Sequence, residues 1–463
     1  MTNEKICKDN RDAIDFGTMS IPKLYIKILI PTLLGMVSTI ILTITDGYFV
    51  GNYAGSDSLA AVNIAVPLFM MTTALGLMFG AGCSIVAAVH LSKSNFKAAN
   101  INVTQTFFVS LLIIVFLSTL ILLSPEKVAY LFGSSDRLLP LVKTYIIFLT
   151  PALPFFLIET IGLFLIRLDG APKYAMLCTL VPAGINILGD FILVGVMGLG
   201  IKGAVLATSS CFFVGGVMVI IYFIAFNKQL KLYKLKFSKT SLSLMTRNIG
   251  YISKLGMPGF LGEIALAIMT FLGNYYFLKY LQEDGVAAYS VTCYYFPIVF
   301  MIYNAIAQSA QPIISYNYGL NDNKRVKEAF NLSLITIIIA GVVLTIGMRV
   351  FTHEMVSLFL KPGTQAYDIA VHGIPYFATG YLFFAINMVY IGYFQSIEKV
   401  RSANILTLFR GYIFLILSFI IVPELLGVVG IWLAIPIAEL STFFVLVFCY
   451  LIPYSTKRFR SDV

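Results

Sequence analysis

Residues Ile28–Val50 read ILIPTLLGMVSTIILTITDGYFV. The stretch is long enough to cross a bilayer, for which ~20 apolar residues are needed. Pro31 sits early in it and removes one helix hydrogen bond. Asp46 sits late in it, where a carboxylate in hydrocarbon costs at least ~2.5 kcal/mol. A plain anchor needs neither feature. Together they point to a transport protein organised around Asp46.

The rest of the chain fits that reading. Of 463 residues, 59% are hydrophobic and 12% charged, with mean hydropathy +0.89; a soluble protein is nearer ~25% charged. Apolar runs predict an all-α integral membrane protein of twelve spans, near 28–50, 59–91, 102–124, 141–166, 174–196, 203–226, 255–278, 286–316, 331–350, 373–397, 404–422 and 430–453. Residues 1–27 carry no signal-peptide core, so the first span stays in place. The six cysteines, Cys7, Cys83, Cys178, Cys211, Cys293 and Cys449, have no metal-type spacing and read as reduced and structural.

The net charge of +10 is a topology signal rather than a nucleic-acid footprint. Most Lys and Arg fall at the termini and in the even-numbered loops, which places both termini in the cytoplasm. No phosphate-binding loop, metal cluster or nucleophile–base pair is present, so an enzyme is not indicated. Without an ATPase domain, energy must come from an ion gradient or a partner.

An internal repeat divides the chain. Lys27, Pro31, Leu34 and Gly35 return as Lys254, Pro258, Leu261 and Gly262, and Gly200, Gly203, Leu206 and Ala207 return as Gly427, Gly430, Leu433 and Ala434. Every pair is 227 positions apart. The expected organisation is an N-terminal lobe (1–226), a basic cytoplasmic linker (227–250) and a C-terminal lobe (251–463). Each lobe has six helices, an even number, so both enter the membrane in the same direction. They are parallel repeats about an axis along the membrane normal, with a substrate path between them.

Five carboxylates fall inside predicted spans: Asp46, Glu159, Asp190, Glu263 and Glu439. At ~1.5 Å rise per residue, Asp46 lies ~28 Å from the inner flank and Asp190 ~26 Å. Asn186 is one turn from Asp190 on the same helix face, and Thr208 reaches the same level from the sixth span. Asp46, Asn186, Asp190 and Thr208 are therefore a candidate oxygen-rich site for one proton or one small hard cation such as Na⁺. The alternative is that Asp46 caps a helix end and Asp190 bonds backbone. Glu263 and Glu439 fall near mid-membrane in the second half, where they would attract partly apolar cations; Glu159 is a third such candidate. Tyr294, Tyr295, Phe296 and Tyr303 would add cation–π contacts. Pro31 and Pro258 each free a carbonyl early in a half, permitting a helix bend.

With these residues in hand, the chain resembles the multidrug and toxic-compound extrusion (MATE) family across about residues 20–455. The carrying stretches are IPTLLG with TDGYFVGNYAGSDSLAAV, RLDGAPKYAM with INILGDFILV, GIKGAVLAT, and GMPGFLGE at the opening of the second half. IAEL in the last span looks most like the MepA-type bacterial branch. The resemblance implies a MATE/MOP-type fold of two pseudo-two-fold-related six-helix bundles in a bacterial cytoplasmic (inner) membrane, working as a monomer. It implies an antiporter that exchanges inward H⁺ or Na⁺ for organic cations, with no cofactor. By similarity Asp46 and Asp190 match the family's acidic pair, Asn186 and Thr208 its polar companions, and Glu263 an acid of the seventh span. Two segments depart: Asn387 stands where some members carry a carboxylate, and Glu159 and Thr160 stand where asparagines are common. The rival function is a lipid-linked oligosaccharide or lipid flippase of related architecture. That would need a basic cavity, and Arg410 is the lone base in the interior of a span rather than at its end.

Overall fold

The computed structural model describes residues 14–451, all helices and connections with no strand among them. Cys7 and the basic residues of both termini lie outside the described residues. The first helix, α1 (Ile21–Phe49), shows why the elements form as they do. Ile26, Ile30, Leu34, Val37, Ile41 and Ile44 recur at helical spacing and are all exposed. The opposite face buries Leu24, Tyr25, Ile28, Pro31, Gly35 and Ser38. An apolar stripe facing outward is what lipid requires of a spanning helix.

The chain continues through α2 (Ser56–Ser92), α3 (Phe96–Leu123), the short α4 (Pro125–Leu131), α5 (Leu139–Leu149), α6 (Leu153–Leu168), α7 (Pro172–Gly189) and α8 (Gly200–Ile221). Next come α9 (Lys239–Gly319), α10 (Asn323–Val350), α11 (Thr352–Ser357), α12 (Gln365–Ala378), α13 (Tyr381–Ser396), α14 (Val400–Leu408) and α15 (Phe414–Leu446). Among the described residues nine helices are long and apolar enough to span, or ten if the bent pair α12–α13 is one span. Two of the long helices contain a break, α9 at Gln282 and α15 at Gly427, both with positive φ. The twelve expected segments require dividing the chain at those breaks. Neither Pro31 nor Pro258 interrupts its helix; each lies within a continuous run.

The chain forms two compact units. The first runs through Phe260 and takes in Pro312–Val326; the second holds Leu261–Gln311 and the chain from Lys327 on. These bounds cut the chain elsewhere than the expected 226/251 division, for two reasons. The second half of the expected linker is helical, because α9 already starts at Lys239, capped by the Ser238 hydroxyl on Ser241 N–H. Its next turns pack on α2 so closely that a Cβ at Gly82 would overlap the Ile252 carbonyl. In addition, Arg325 donates through Nη2 to the carbonyls of Phe16 (2.9 Å) and Met19 (2.8 Å), which ties 312–326 to the entry of α1.

Asp15 organises that entry. It accepts from Gly17 N–H (2.8 Å) and the Thr18 hydroxyl (2.6 Å). Burial works to raise its carboxyl, but these bonds and the nearby Arg325 outweigh it and hold Asp15 below its ordinary value. At the same end of the first bundle, where a Cβ on Gly170 would touch Ile14, Asp169 accepts from the Tyr222 hydroxyl and from the N–H groups of Lys228, Gln229 and Leu230, at 2.7–2.9 Å. Burial pushes the Asp169 carboxyl up despite them.

Within the first unit α1 packs on α7, α2 on α6, and both α6 and α7 on α8. The crossings use small residues. A Cβ on Gly35 would meet Thr179 Oγ1 at 2.8 Å, and one on Gly189 would meet the Ala207 Cβ at 2.9 Å. Within the second unit α13 packs on α14 and α15, and α12 on α15.

Candidate functional site: an all-oxygen cluster in the first unit

Asp46 and Asp190 each stand where an α-helix widens. Val50 N–H bonds the carbonyls of both Asp46 and Gly47, and a π-helical turn follows over Val50–Ala54. Asp190 N–H likewise bonds both Asn186 and Ile187 carbonyls and opens a π-helical turn, Asp190–Val196. Such turns are concentrated at functional positions, because they displace side chains from the regular 3.6-residue register. The two places lie side by side: the ring of Phe49, the residue before the first turn, meets Phe191 of the second edge-on at 6.3 Å. The close Gly189–Ala207 approach brings α7 onto α8, which sets Asn186 beside Thr208.

The four residues expected to form a site do meet. The Asp46 carboxyl lies within hydrogen-bonding reach of Asp190 and of the Thr208 hydroxyl. Asn186 Nδ2 points at Thr208 Oγ1 at 3.5 Å, and that hydroxyl donates to Ala204 O at 3.1 Å. Asn186 and Asp190 are fully buried. Asp46 Oδ1, both Asp190 carboxylate oxygens and Asn186 Oδ1 are buried and accept no hydrogen bond. Buried polar atoms without partners are rare in proteins and demand a reason. Two carboxylates this close cannot both be ionised without a cation between them; otherwise they share a proton. The donor set is all oxygen, which suits H⁺ or a small hard cation and not a soft metal.

Tyr145 is the residue that the sequence reading missed. It comes from α5, is buried, and its hydroxyl reaches Thr208 beside the two acids. Its chain spacing from Asp46 and Asp190 carries no signal, since it belongs to a third helix.

The remaining acids are placed differently. Glu159 is buried on α6 in the first unit, seated on Gly215 of α8. Glu439 is buried in the second unit and is not a free anion. Arg410 Nε donates to its Oε1 at 2.7 Å, and Asn387 Nδ2 to its Oε2 at 2.8 Å. The Arg410 guanidinium also lies 4.2 Å above the Phe384 ring, and Phe384 in turn is stacked on Phe296 and edge-packed by Tyr303. The expected attraction of Glu439 for a foreign cation is thus already met by the chain's own arginine, and the same holds for the aromatic face. Tyr294 stacks on Phe359, and Tyr295 donates to Met355 O. Glu263 is half-buried and takes no part in the ion pair. Its helical neighbours Gly262, Ala265, Leu266 and Met269 line a small cleft together with Arg410 and Glu439.

Comparison with known proteins agrees with this architecture. The MatE family profile matches residues 31–192 and again 258–420, tracking the 227-residue repeat. The chain is similar to the multidrug export protein MepA of Staphylococcus aureus strain MSSA476, at 25% identity over 89% of both chains. It is similar to MepA of Staphylococcus haemolyticus, at 24% identity over 96% of this chain and 95% of that one. Its fold matches the outward-facing conformation of a multidrug resistance MATE family transporter of the MOP superfamily. That match has a TM-score of 0.84 at 20% identity, over 92% of this chain and 94% of the other.

Proposed function

The chain belongs to the MatE family of membrane transporters, and from that premise we propose that it is a cation-coupled antiporter exporting organic cations, drugs and other toxic compounds. An inward-moving H⁺ or Na⁺ is taken up at Asp46 and Asp190, with Asn186, Thr208 and Tyr145 as polar companions. The two six-helix halves alternate access to a path between them. The protein works as a monomer in a bacterial cytoplasmic membrane with both termini inside.

The observation that carries this reading is the approach of Asp46 to the buried Asp190, with Asp46 Oδ1 and both Asp190 carboxylate oxygens lacking a hydrogen-bond donor. That arrangement is stable only when a positive charge is present, which makes occupancy a natural switch between states. One charge moved through ~100 mV supplies ~2.3 kcal/mol. At ~1.4 kcal/mol per tenfold, that sustains ~50-fold accumulation. The pairing of Arg410 with Glu439 speaks against a flippase, because the Arg410 guanidinium is already neutralised.

Ethidium efflux by Asp46→Asn in intact cells tests the reading. Efflux should fall to the level of cells without the transporter, while unchanged efflux would remove the coupling site. Headgroup-lipid scrambling in reconstituted vesicles should be absent; its presence would favour the flippase.

A further inference from the structure

The first unit buries one more acid that the Asp46–Asp190 contact does not use. Glu159 sits midway along α6 and is only 8% exposed. No hydrogen bond or ion pair reaches it from any described residue. α8 is notched to receive it: a Cβ at Gly215 would overlap the carboxylate. Of the helices packed on α6, α7 presents Cys178 and α8 presents Cys211. The charged residues and histidine of the surrounding helices, Asp57 and His90 on α2, Lys97 on α3, Lys173 on α7 and Lys202 on α8, belong to the end turns; Cys83 of α2 turns to Thr106, and the Tyr174 hydroxyl of α7 donates to Met218 O. Arg167, on its own helix, turns to the Leu163 carbonyl and the Phe164 ring.

On α8, Cys211 falls between Thr208, which marks the Asp46–Asp190 cluster, and Gly215, which receives Glu159. Thr208 and Gly215 mark those positions on α8, seven residues or ~10 Å apart. Both acids therefore share one helix bundle. At 8% exposure and with no counter-charge or donor among the described residues, burial favours the neutral carboxyl over the ionised one. A single carboxylate flanked by two thiols lacks the several oxygens that a hard metal ion requires. What remains is a proton.

We propose that Glu159 is a second proton-binding site of the first unit, loaded and released in step with the Asp46–Asp190 site. The proton comes from water, forms an O–H bond on the Glu159 carboxyl, and returns to water on the other side of the cycle. Nothing else is transferred. The role in the cycle rests on the antiport reading above; the bound proton itself does not.

The test uses the full chain in lipid nanodiscs and in proteoliposomes. Infrared difference spectra across a pH titration should show a protonated-carboxyl C=O band with a component that Glu159→Gln removes and Glu159→Asp retains. In proteoliposomes loaded with tetraphenylphosphonium, Glu159→Gln should exchange fewer protons per probe cation than the native chain. Should Glu159→Gln leave both the band and the proton count unaltered, the proposal is overturned. Full coupling in Asp46→Asn and Asp190→Asn would instead overturn the antiport reading, whatever Glu159→Gln does.

Discussion

Replacing Glu439 by glutamine keeps the shape of the second unit and removes one charge. Arg410 Nε and Glu439 Oε1 are 2.7 Å apart, with side chains 10% and 7% exposed. At an effective dielectric of ~20 their attraction is about 6 kcal/mol, most of which offsets the desolvation of both groups. Glutamine can still accept from Arg410 Nε through its amide oxygen but leaves the guanidinium charge buried without an anion, beside the Met388 sulfur (3.2 Å) and the Phe384 ring. Breaking one side of such a pair costs about 3–5 kcal/mol. Neutralising both, as Arg410→Met with Glu439→Gln, should restore most of it, to within about 1–2 kcal/mol of the native chain. Unfolding in SDS-containing mixed micelles reads this cycle directly. A Glu439→Gln loss below about 1 kcal/mol, or a double variant as unstable as the two singles added together, would refute the buried-pair account.

Two further outcomes follow from the first unit. Gly189→Ala forces a methyl against Ala207, whose Cβ would lie 2.9 Å away, and should destabilise by about 1–3 kcal/mol while weakening uptake at the adjacent Asp190; an unchanged melting temperature would refute that crossing. Asp15 is held below its ordinary carboxylate value in the folded chain. The stability it contributes is therefore present above about pH 4 and lost as pH falls through its lowered folded-state value. Limited proteolysis near the start of α1 between pH 6 and pH 3 should show that loss, and Asp15→Asn should flatten the profile; a variant as pH-sensitive as the native chain would contradict it.

Much of the candidate site was legible because depth in a membrane helix is a matter of counting. Asp46 and Asp190 could be set at one level from their distance to Lys27 and Lys173, and Asn186 followed from helical spacing. Counting gives depth but not azimuth. It could not say that Glu439 turns to Arg410, nor that Tyr145, one of 26 tyrosines, turns to Thr208. One signal for the first was present: an arginine inside a span needs an anion, and few were on offer. The start of α9 was hidden because residues 239–250 are polar, so an apolar-run reading sees a linker where a helix stands. The break at Gln282 was equally silent, since glutamine is not a residue that announces positive φ.

The central claim is that Asp46 and Asp190 bind the driving cation. Proteoliposomes carrying the native chain, Asp46→Asn or Asp190→Asn, with an H⁺ or a Na⁺ gradient imposed separately, test it most directly. The native chain should drive ethidium movement with one of the two gradients, and each variant should lose that response. A native chain indifferent to both gradients, or variants that respond as it does, would contradict the account.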